Sequence, residues 1–267
     1  MILSLLTLAL AAPCPADVTV CAAEATAALA AGDALTATLK GGIACEAGYL
    51  PACFVASEAA TKVKSEEWAP ACAAGEQVAC GVVALMGPDR PDSAAIFEGY
   101  CDLGLATACR QAGSLAMDRR NVSLAVTLFE KACAGGSGIS CSRLAEMFVV
   151  GIGVSRDRDR AQAFANAGCE PLRATGCRGD GLPPGSEVLA RAIETGDLLI
   201  TRHTEQAAVC LVAVQLDGEG RVTQALTPDC DSSLKAAATR NSDRWRFEVP
   251  EGEGPFYASM YLYTTGD

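Results

Sequence analysis

Cysteine is the residue of this chain with the most evident capacity for chemistry, and it recurs at a fixed step. The sequence has 14 cysteines and one histidine, His203. Two uses compete for clustered cysteines, disulfide bonding and zinc coordination. Five Cys-x7-Cys segments are present: Cys45 to Cys53, Cys72 to Cys80, Cys101 to Cys109, Cys133 to Cys141, and Cys169 to Cys177.

The eight-residue step favours disulfides over a metal site. Zinc ligands are usually two to four residues apart, and the sequence contains no Cys-x-x-Cys. On one straight helix the two cysteines would lie about 12 Å apart, beyond the ~7 Å Cα limit of a disulfide. The chain must therefore turn between them. A glycine suited to end a helix follows the first cysteine by three residues in four segments, as Gly48, Gly75, Gly104 and Gly136.

Each segment therefore predicts the end of one helix, a turn and the start of the next helix, with a disulfide across the corner. A spacing that recurs this often predicts a repeat protein. The remaining cysteines suggest the pairs Cys14 with Cys21 and Cys210 with Cys230. We expect neither a metal nor a cofactor.

Many disulfides predict an oxidising compartment. Residues 1–12 are apolar and end in small residues, which predicts a signal peptide over 1–11, although no Lys or Arg lies near Met1. Acylation of Cys14 is disfavoured because Pro13 precedes it. The run is shorter than the ~20 residues of a membrane span. We therefore expect a periplasmic or secreted protein whose mature chain has no transmembrane segment.

The charge of the chain argues against a nucleic-acid partner. Its formal net charge is −11, whereas phosphate contacts need clustered Lys and Arg. The most basic stretch alternates Arg156, Arg158 and Arg160 with two aspartates, which is typical of a solvated face.

Helical periodicity fills the segments between the corners. Leu144, Ala145 and Phe148 share one helix face, and Gly151-Ile-Gly-Val154 ends that helix. Asp157 or Asp159 then opens a second helix. Over residues 12–181 we expect an array of such helix pairs, each too small to close a core alone.

This pattern resembles the Sel-one-like repeat in its cysteine-rich bacterial subclass. The resemblance rests on Gly151-Ile-Gly-Val154, on Lys131-Ala-Cys133 and on the small residues before Cys109 and Cys141. It implies a mainly α fold, a right-handed superhelix of short α/α repeats that is similar to tetratricopeptide solenoids. It also implies a scaffold for protein–protein interaction.

The composition changes after the last repeated pair of cysteines. Residues 182–186 are rich in Gly and Pro and predict a linker. A short helix is expected over 187–194. Alternating apolar residues then predict a strand over 209–216, a hairpin turn at 217–220 and a returning strand. Asp231 or Ser232 can cap a helix, and two more strands follow.

Residues 187–267 resemble the TonB C-terminal domain. The residues that carry this resemblance are Asp217 to Val222, Ser232-Ser233, Trp245, Phe247 and Pro250. It implies a small α+β (ββαββ) domain whose exposed sheet edge can pair with a partner strand. The membrane anchor and Pro-rich spacer of an energy transducer do not occur here.

Known catalytic motifs are almost absent from the sequence. No serine-hydrolase elbow, zinc-protease motif, phosphate loop or dinucleotide fingerprint is present. Ser232 and Lys235 have the Ser-x-x-Lys spacing of penicillin-recognising enzymes, but the companion motifs are missing. Some cysteine-rich members of the repeat family are described as β-lactam binding, so a weak β-lactamase-type hydrolase stays the alternative. We predict no catalytic residue.

We therefore expect an exported scaffold that binds a protein partner on the concave surface of its helices. In a third interpretation the C-terminal domain docks an outer-membrane partner by its sheet edge, with the repeats as a spacer. The partner and the oligomeric state are not predicted.

Overall fold

The computed structural model describes residues 17–63, 93–169, 192–194, 208–249 and 255–264. Within these ranges the chain forms helix pairs followed by a small antiparallel sheet, which confirms the predicted fold class at that level. The helices are α1 (Val18–Ala30), α2 (Ala34–Glu46), α3 (Leu50–Ala60), α4 (Ser93–Asp102), α5 (Ala106–Asp118), α6 (Val122–Ala134), α7 (Gly138–Val150), α8 (Arg158–Cys169) and α9 (Ser232–Ser242). The strands are β1 (Ala192–Glu194), β2 (Ala208–Leu216), β3 (Val222–Cys230), β4 (Arg246–Phe247) and β5 (Phe256–Thr264).

Short polar side chains open several of these helices. The carboxylate of Asp33 accepts from the backbone N–H of Thr36 at 3.1 Å, and Asn121 and Ser137 act in the same way on α6 and α7. Asp157, one of the two residues predicted to begin α8, accepts from the backbone N–H groups of Asp159 and Arg160. Each cap satisfies a donor that the helix itself leaves unpaired.

The described corners share one backbone geometry. Gly48, Gly104 and Gly136 have φ angles of +99°, +87° and +94°, and each donates its N–H to the carbonyl of the cysteine three residues before it. The residue after each glycine donates back to the carbonyl five residues earlier, which completes a Schellman motif. Glycine is required here because side chains disfavour this conformation.

A disulfide closes each of these corners. Cys45–Cys53, Cys101–Cys109 and Cys133–Cys141 join consecutive helices with Cα–Cα distances of 4.7, 4.5 and 4.8 Å. The turn brings the cysteines within bonding range, which a continuous helix would not do. The predicted pairs Cys72–Cys80 and Cys169–Cys177 lie outside the described side chains.

The largest core runs through α4 to α8. It contains Phe97 and Phe129, each four residues before the first cysteine of a corner. Leu144, Met147 and Phe148 of α7 pack in the same core. Gly113 of α5 approaches this core closely, because a Cβ there would lie 2.7 Å from Cε1 of Phe129. The helices of neighbouring pairs therefore share one apolar interior.

Two corners that are far apart in sequence contact each other, which a regular solenoid of stacked repeats does not predict. A Cβ on Gly138 would lie 2.3 Å from the carbonyl oxygen of Ala47, so the α2–α3 corner touches the start of α7. In an extended solenoid each unit contacts only its neighbours. The described helices are thus also joined across non-adjacent units.

The C-terminal residues form an antiparallel sheet in the order β3-β2-β5. Helix α9 packs on one face, where Leu234 and Ala238 meet Val212, and fully buried Trp245 completes this core. The hairpin turn lies at Asp217 to Gly220 as predicted.

The expected helix over 187–194 is wrong at its end, because Ala192–Glu194 forms strand β1 and pairs with β4. Ladder hydrogen bonds to a distant segment outweighed local helix propensity there. No described helix is long and apolar enough to cross a membrane.

Candidate functional site at the interface of helices and sheet

The two faces of β2 meet different parts of the molecule. Successive strand residues point to opposite faces, so Cys210 and Val212 face α9 whereas Val209 and Ala213 face the helix pairs. Ala213 packs with Leu50 and Phe54 of α3. The sheet is thus enclosed between α9 and the helical array.

On the array side, three helices that contact the sheet, α3, α5 and α7, each hold the second cysteine of a corner. Phe54 of α3 packs against Tyr257 of β5 with ring centroids 5.4 Å apart. Arg110 of α5 and Arg143 of α7 bind residues of β3. We call the surface formed by α3, α5 and α7 the inner helix face.

A cluster of buried charges lies between this face and the sheet. We call it the interface cluster, and its members are Glu46, Arg110, Arg143, Asp229 and Asp231. The first three come from helices α2, α5 and α7, and the two aspartates come from the end of β3 and the N-cap of α9. Three carboxylates face two guanidinium groups, which leaves a formal charge of −1 (2 − 3).

Arg143 is the centre of the cluster. Its side chain is fully buried, and Nη1 donates to Oδ1 of Asp229 at 2.9 Å while Nη2 donates to Oδ1 of Asp231. Its Cζ also lies 4.6 Å from the ring centroid of Phe129. Burial alone would lower the pKa of Arg143, but the carboxylates of Asp229 and Asp231 outweigh burial and raise it. The guanidinium is therefore held charged in the interior.

Arg110 extends the cluster toward the first helix pair. Its Nε lies 2.9 and 2.8 Å from the two carboxylate oxygens of Glu46, and Nη1 donates to the carbonyl of Pro228 at 3.1 Å. The hydroxyl of Ser137 donates to the same Glu46. Ser114 adds a 3.3 Å hydrogen bond to Asp229.

Two polar atoms of this region have no hydrogen-bond partner among the described residues. They are Nε of Arg143 and Oδ2 of Asp229. Burial raises the pKa of Tyr261 well above 10, and the neighbouring charges of Asp229 and Glu146 raise it further. Tyr261 thus stays neutral next to the buried carboxylates.

The start of α9 is capped from the array rather than from its own strand. Asp231 occupies the N-cap position, but its carboxylate accepts from Arg143 and from the backbone N–H of Val209 at 2.8 Å. Oδ1 of Asp118 on α5 instead accepts from the N–H and hydroxyl of Ser232 at 3.1 and 2.8 Å. The hydroxyl of Ser232, the serine of the Ser-x-x-Lys spacing, is thus a hydrogen-bond donor between α9 and the helical array.

The predicted cysteine sites are distributed as follows. Eight form the disulfides described at the three corners and at Cys210–Cys230, and Cys21 is disulfide-bonded. Cys14, Cys72, Cys80, Cys177 and His203 lie outside the described residues, as does the side chain of Cys169. Among described residues, no group of three or more His, Cys, Asp or Glu could hold a metal ion.

Sequence reasoning missed the interface cluster. One signal was available, because Glu46, Arg110, Asp229 and Asp231 each stand next to a cysteine. The cluster pairs arginines of the helical array with aspartates of the C-terminal sheet, so its chemistry is electrostatic attraction between two parts of the fold.

Comparison with known proteins gave a likeness among solved structures. No family model matches the chain, and no curated protein matches it. Among solved structures, the chain is similar to a Sel1 repeat protein from Oxalobacter formigenes at 18% identity and a TM-score of 0.37. The match covers 62% of this chain and 79% of that protein.

Proposed function

We propose that this protein is an exported, disulfide-linked scaffold that binds a protein partner in the bacterial envelope. The observation that supports it is the set of helix corners, each fixed by a Schellman turn and a disulfide. Rigid helix pairs present their side chains with little conformational entropy left to lose, which favours recognition. The disulfides fit an oxidising, extracytoplasmic compartment.

The proposed scaffold has four segments. They are a signal peptide over 1–11, a right-handed superhelix over 12–181, a linker over 182–186 and a TonB-like domain over 187–267. The destination of export in this proposal is the periplasm or the culture medium.

The covered inner helix face changes where a partner should bind. Leu50 and Phe54 of α3 and the arginines of α5 and α7 are already engaged by the sheet. We therefore assign binding to the outward helices α2, α4, α6 and α8 and to their corners. Leu103 and Leu105, 61% and 51% exposed, flank Gly104 at one such corner and give it apolar contact area.

A second candidate surface is the free edge of β5. Its nine residues contain neither a charge nor proline, the devices that usually prevent edge pairing. Among the described strands, β5 pairs with β2 alone. A partner strand could add to this edge by backbone hydrogen bonds.

One experiment tests the binding role and separates the two surfaces. The full oxidised chain is used to capture partners from an envelope extract, and hydrogen exchange is then compared with and without the captured protein. Protection of α4 and its corner, lost in Leu103→Ser/Leu105→Ser, supports the helical surface. Protection confined to residues 256–264 supports the strand edge. Retention of no protein from envelope or culture medium would refute the scaffold role.

The full chain is the appropriate bait. Separate fragments of the array and of the C-terminal unit would expose the buried charges and apolar side chains of their interface. Such surfaces bind unrelated proteins non-specifically.

A further inference from the structure

Residues 228–231, which we call the acidic segment, carry every described sheet-side contact with the two buried arginines. The carbonyl of Pro228 accepts from Arg110, and the carboxylates of Asp229 and Asp231 accept from Arg143. The buried ion pairs that join the sheet to the inner helix face therefore depend on where this segment lies.

The acidic segment is only weakly held by the β-ladder. The register between β2 and β3 pairs Cys210 with Cys230 and Leu211 with Asp229, then shifts before Ala213 pairs with Leu226. Pro228 lies in the shifted stretch and has no N–H to donate. The end of β3 is thus separated from its main ladder by an irregularity.

The Cys210–Cys230 disulfide lies in this isolated end of the ladder. Cys230 points toward α9, so its two neighbours Asp229 and Asp231 point to the opposite face, toward the helices. Next to it, Val209 and Asp231 exchange backbone and side-chain hydrogen bonds of 3.1 and 2.8 Å. One covalent bond therefore fixes the strand position from which both carboxylates project.

We propose that the Cys210–Cys230 disulfide positions the acidic segment, and that its formation is required for the sheet to dock on the inner helix face. Closing the bond removes one hydrogen from each thiol. Two electrons and two protons pass to a disulfide oxidant, which becomes two thiols. The inference does not depend on the proposed binding role, because it concerns contacts within one chain.

A double-mutant cycle between Arg143→Gln and Asp231→Asn measures the docking contact directly, because the cycle isolates the interaction of the two residues. The free energy of unfolding is measured for the cycle in three oxidised full-length backgrounds. These are the wild type, Cys210→Ala/Cys230→Ala, and the control Cys101→Ala/Cys109→Ala, which removes a corner disulfide.

We expect the coupling between the two residues to fall to less than half of its wild-type value when Cys210–Cys230 is absent. The control should retain the wild-type coupling, because a Schellman turn still holds its corner. Equal coupling in the wild type and in Cys210→Ala/Cys230→Ala would overturn the proposal. An equal loss in the control would also overturn it.

Loss of the C-terminal fold must be distinguished from loss of docking. Trp245 is fully buried in the core beneath α9, so its fluorescence, measured with the other tryptophan replaced in Trp68→Phe, reports whether the C-terminal unit is folded. If Cys210→Ala/Cys230→Ala exposes Trp245, Cys210→Val/Cys230→Ala restores apolar volume to that core. If both variants expose Trp245, the disulfide serves folding of the unit itself, and the proposal is refuted.

Discussion

Arg143 on α7 donates to the carboxylate of Asp229 on β3 over 2.9 Å, and neither side chain reaches solvent. The two residues are 86 positions apart in sequence. Their contact joins the helical array to the C-terminal sheet, so the two segments with different sequence patterns share an interior. This relationship determines which variants should be most damaging.

Arg143→Met should destabilise the protein by about 3–5 kcal/mol, because removal of one partner leaves buried carboxylates uncompensated. Chemical unfolding monitored by circular dichroism measures the change. Arg221→Met is the matched control, since the Arg221 side chain is 56% exposed and its described ion pairs lie within its own hairpin. We expect that control to change stability far less, and equal losses would contradict a special role for Arg143.

Asp118→Ala should cost about 1 kcal/mol, the usual value of a lost N-cap bond. Because the carboxylate of Asp118 accepts from Ser232, hydrogen exchange should accelerate at the start of α9, although the substitution is in α5. Asn121→Ala is the control, since Asn121 caps its own helix α6 at Leu124. Faster exchange at α9 in that control, or none in Asp118→Ala, would argue against the inter-unit cap.

Gly113→Ala should destabilise the helical array by about 1–3 kcal/mol through overpacking. The added methyl would lie 2.7 Å from the ring of Phe129, which is itself fully buried. Gly99→Ala on α4 has no atom within 4 Å of the new Cβ and should instead stabilise by up to ~1 kcal/mol. Thermal unfolding of both variants checks the opposite signs.

Glu146 should make the protein less stable as pH rises above its ordinary pKa of 4.5, because burial raises the pKa of this carboxyl. The folded state keeps a proton on Glu146 that the unfolded chain has already lost. The contribution of Glu146 to the free energy of unfolding is therefore full below pH 4.5 and is lost as pH rises through the folded pKa. The unfolding free energy of Glu146→Gln relative to wild type should therefore increase with pH over this range.

Asp217 supplies a control of opposite sign. Its pKa is lowered, first by the backbone hydrogen bond from Arg221 and then by the side chain of that residue. The contribution of Asp217 to the free energy of unfolding is present above the ordinary pKa of 3.8 and is lost as pH falls through the lowered pKa of the folded state. In acid, wild type should therefore approach Asp217→Asn in stability. A pH slope of the same sign for both pairs would contradict these assignments.

Much of the local structure followed from the sequence. The glycine three residues after a cysteine predicted the corners, and Gly48, Gly104 and Gly136 have the positive φ that such a turn requires. The hairpin at Asp217 was also predictable. These features depend on residues close together in the chain, where backbone sterics and spacing are sufficient.

Sequence alone determined that this is a disulfide-rich helical repeat protein with a small C-terminal sheet, because cysteine spacing and apolar periodicity are local properties. Tertiary structure alone decided that the sheet covers the inner helix face, that Arg143 meets Asp229 and Asp231, and that Asp118 caps α9. Those contacts join residues far apart in sequence, and a lone Arg or Asp has the same sequence signature on a solvated surface as in a buried pair. Only the packing of α7 against β2 and β3 removes water from these charges and makes each one depend on its partner.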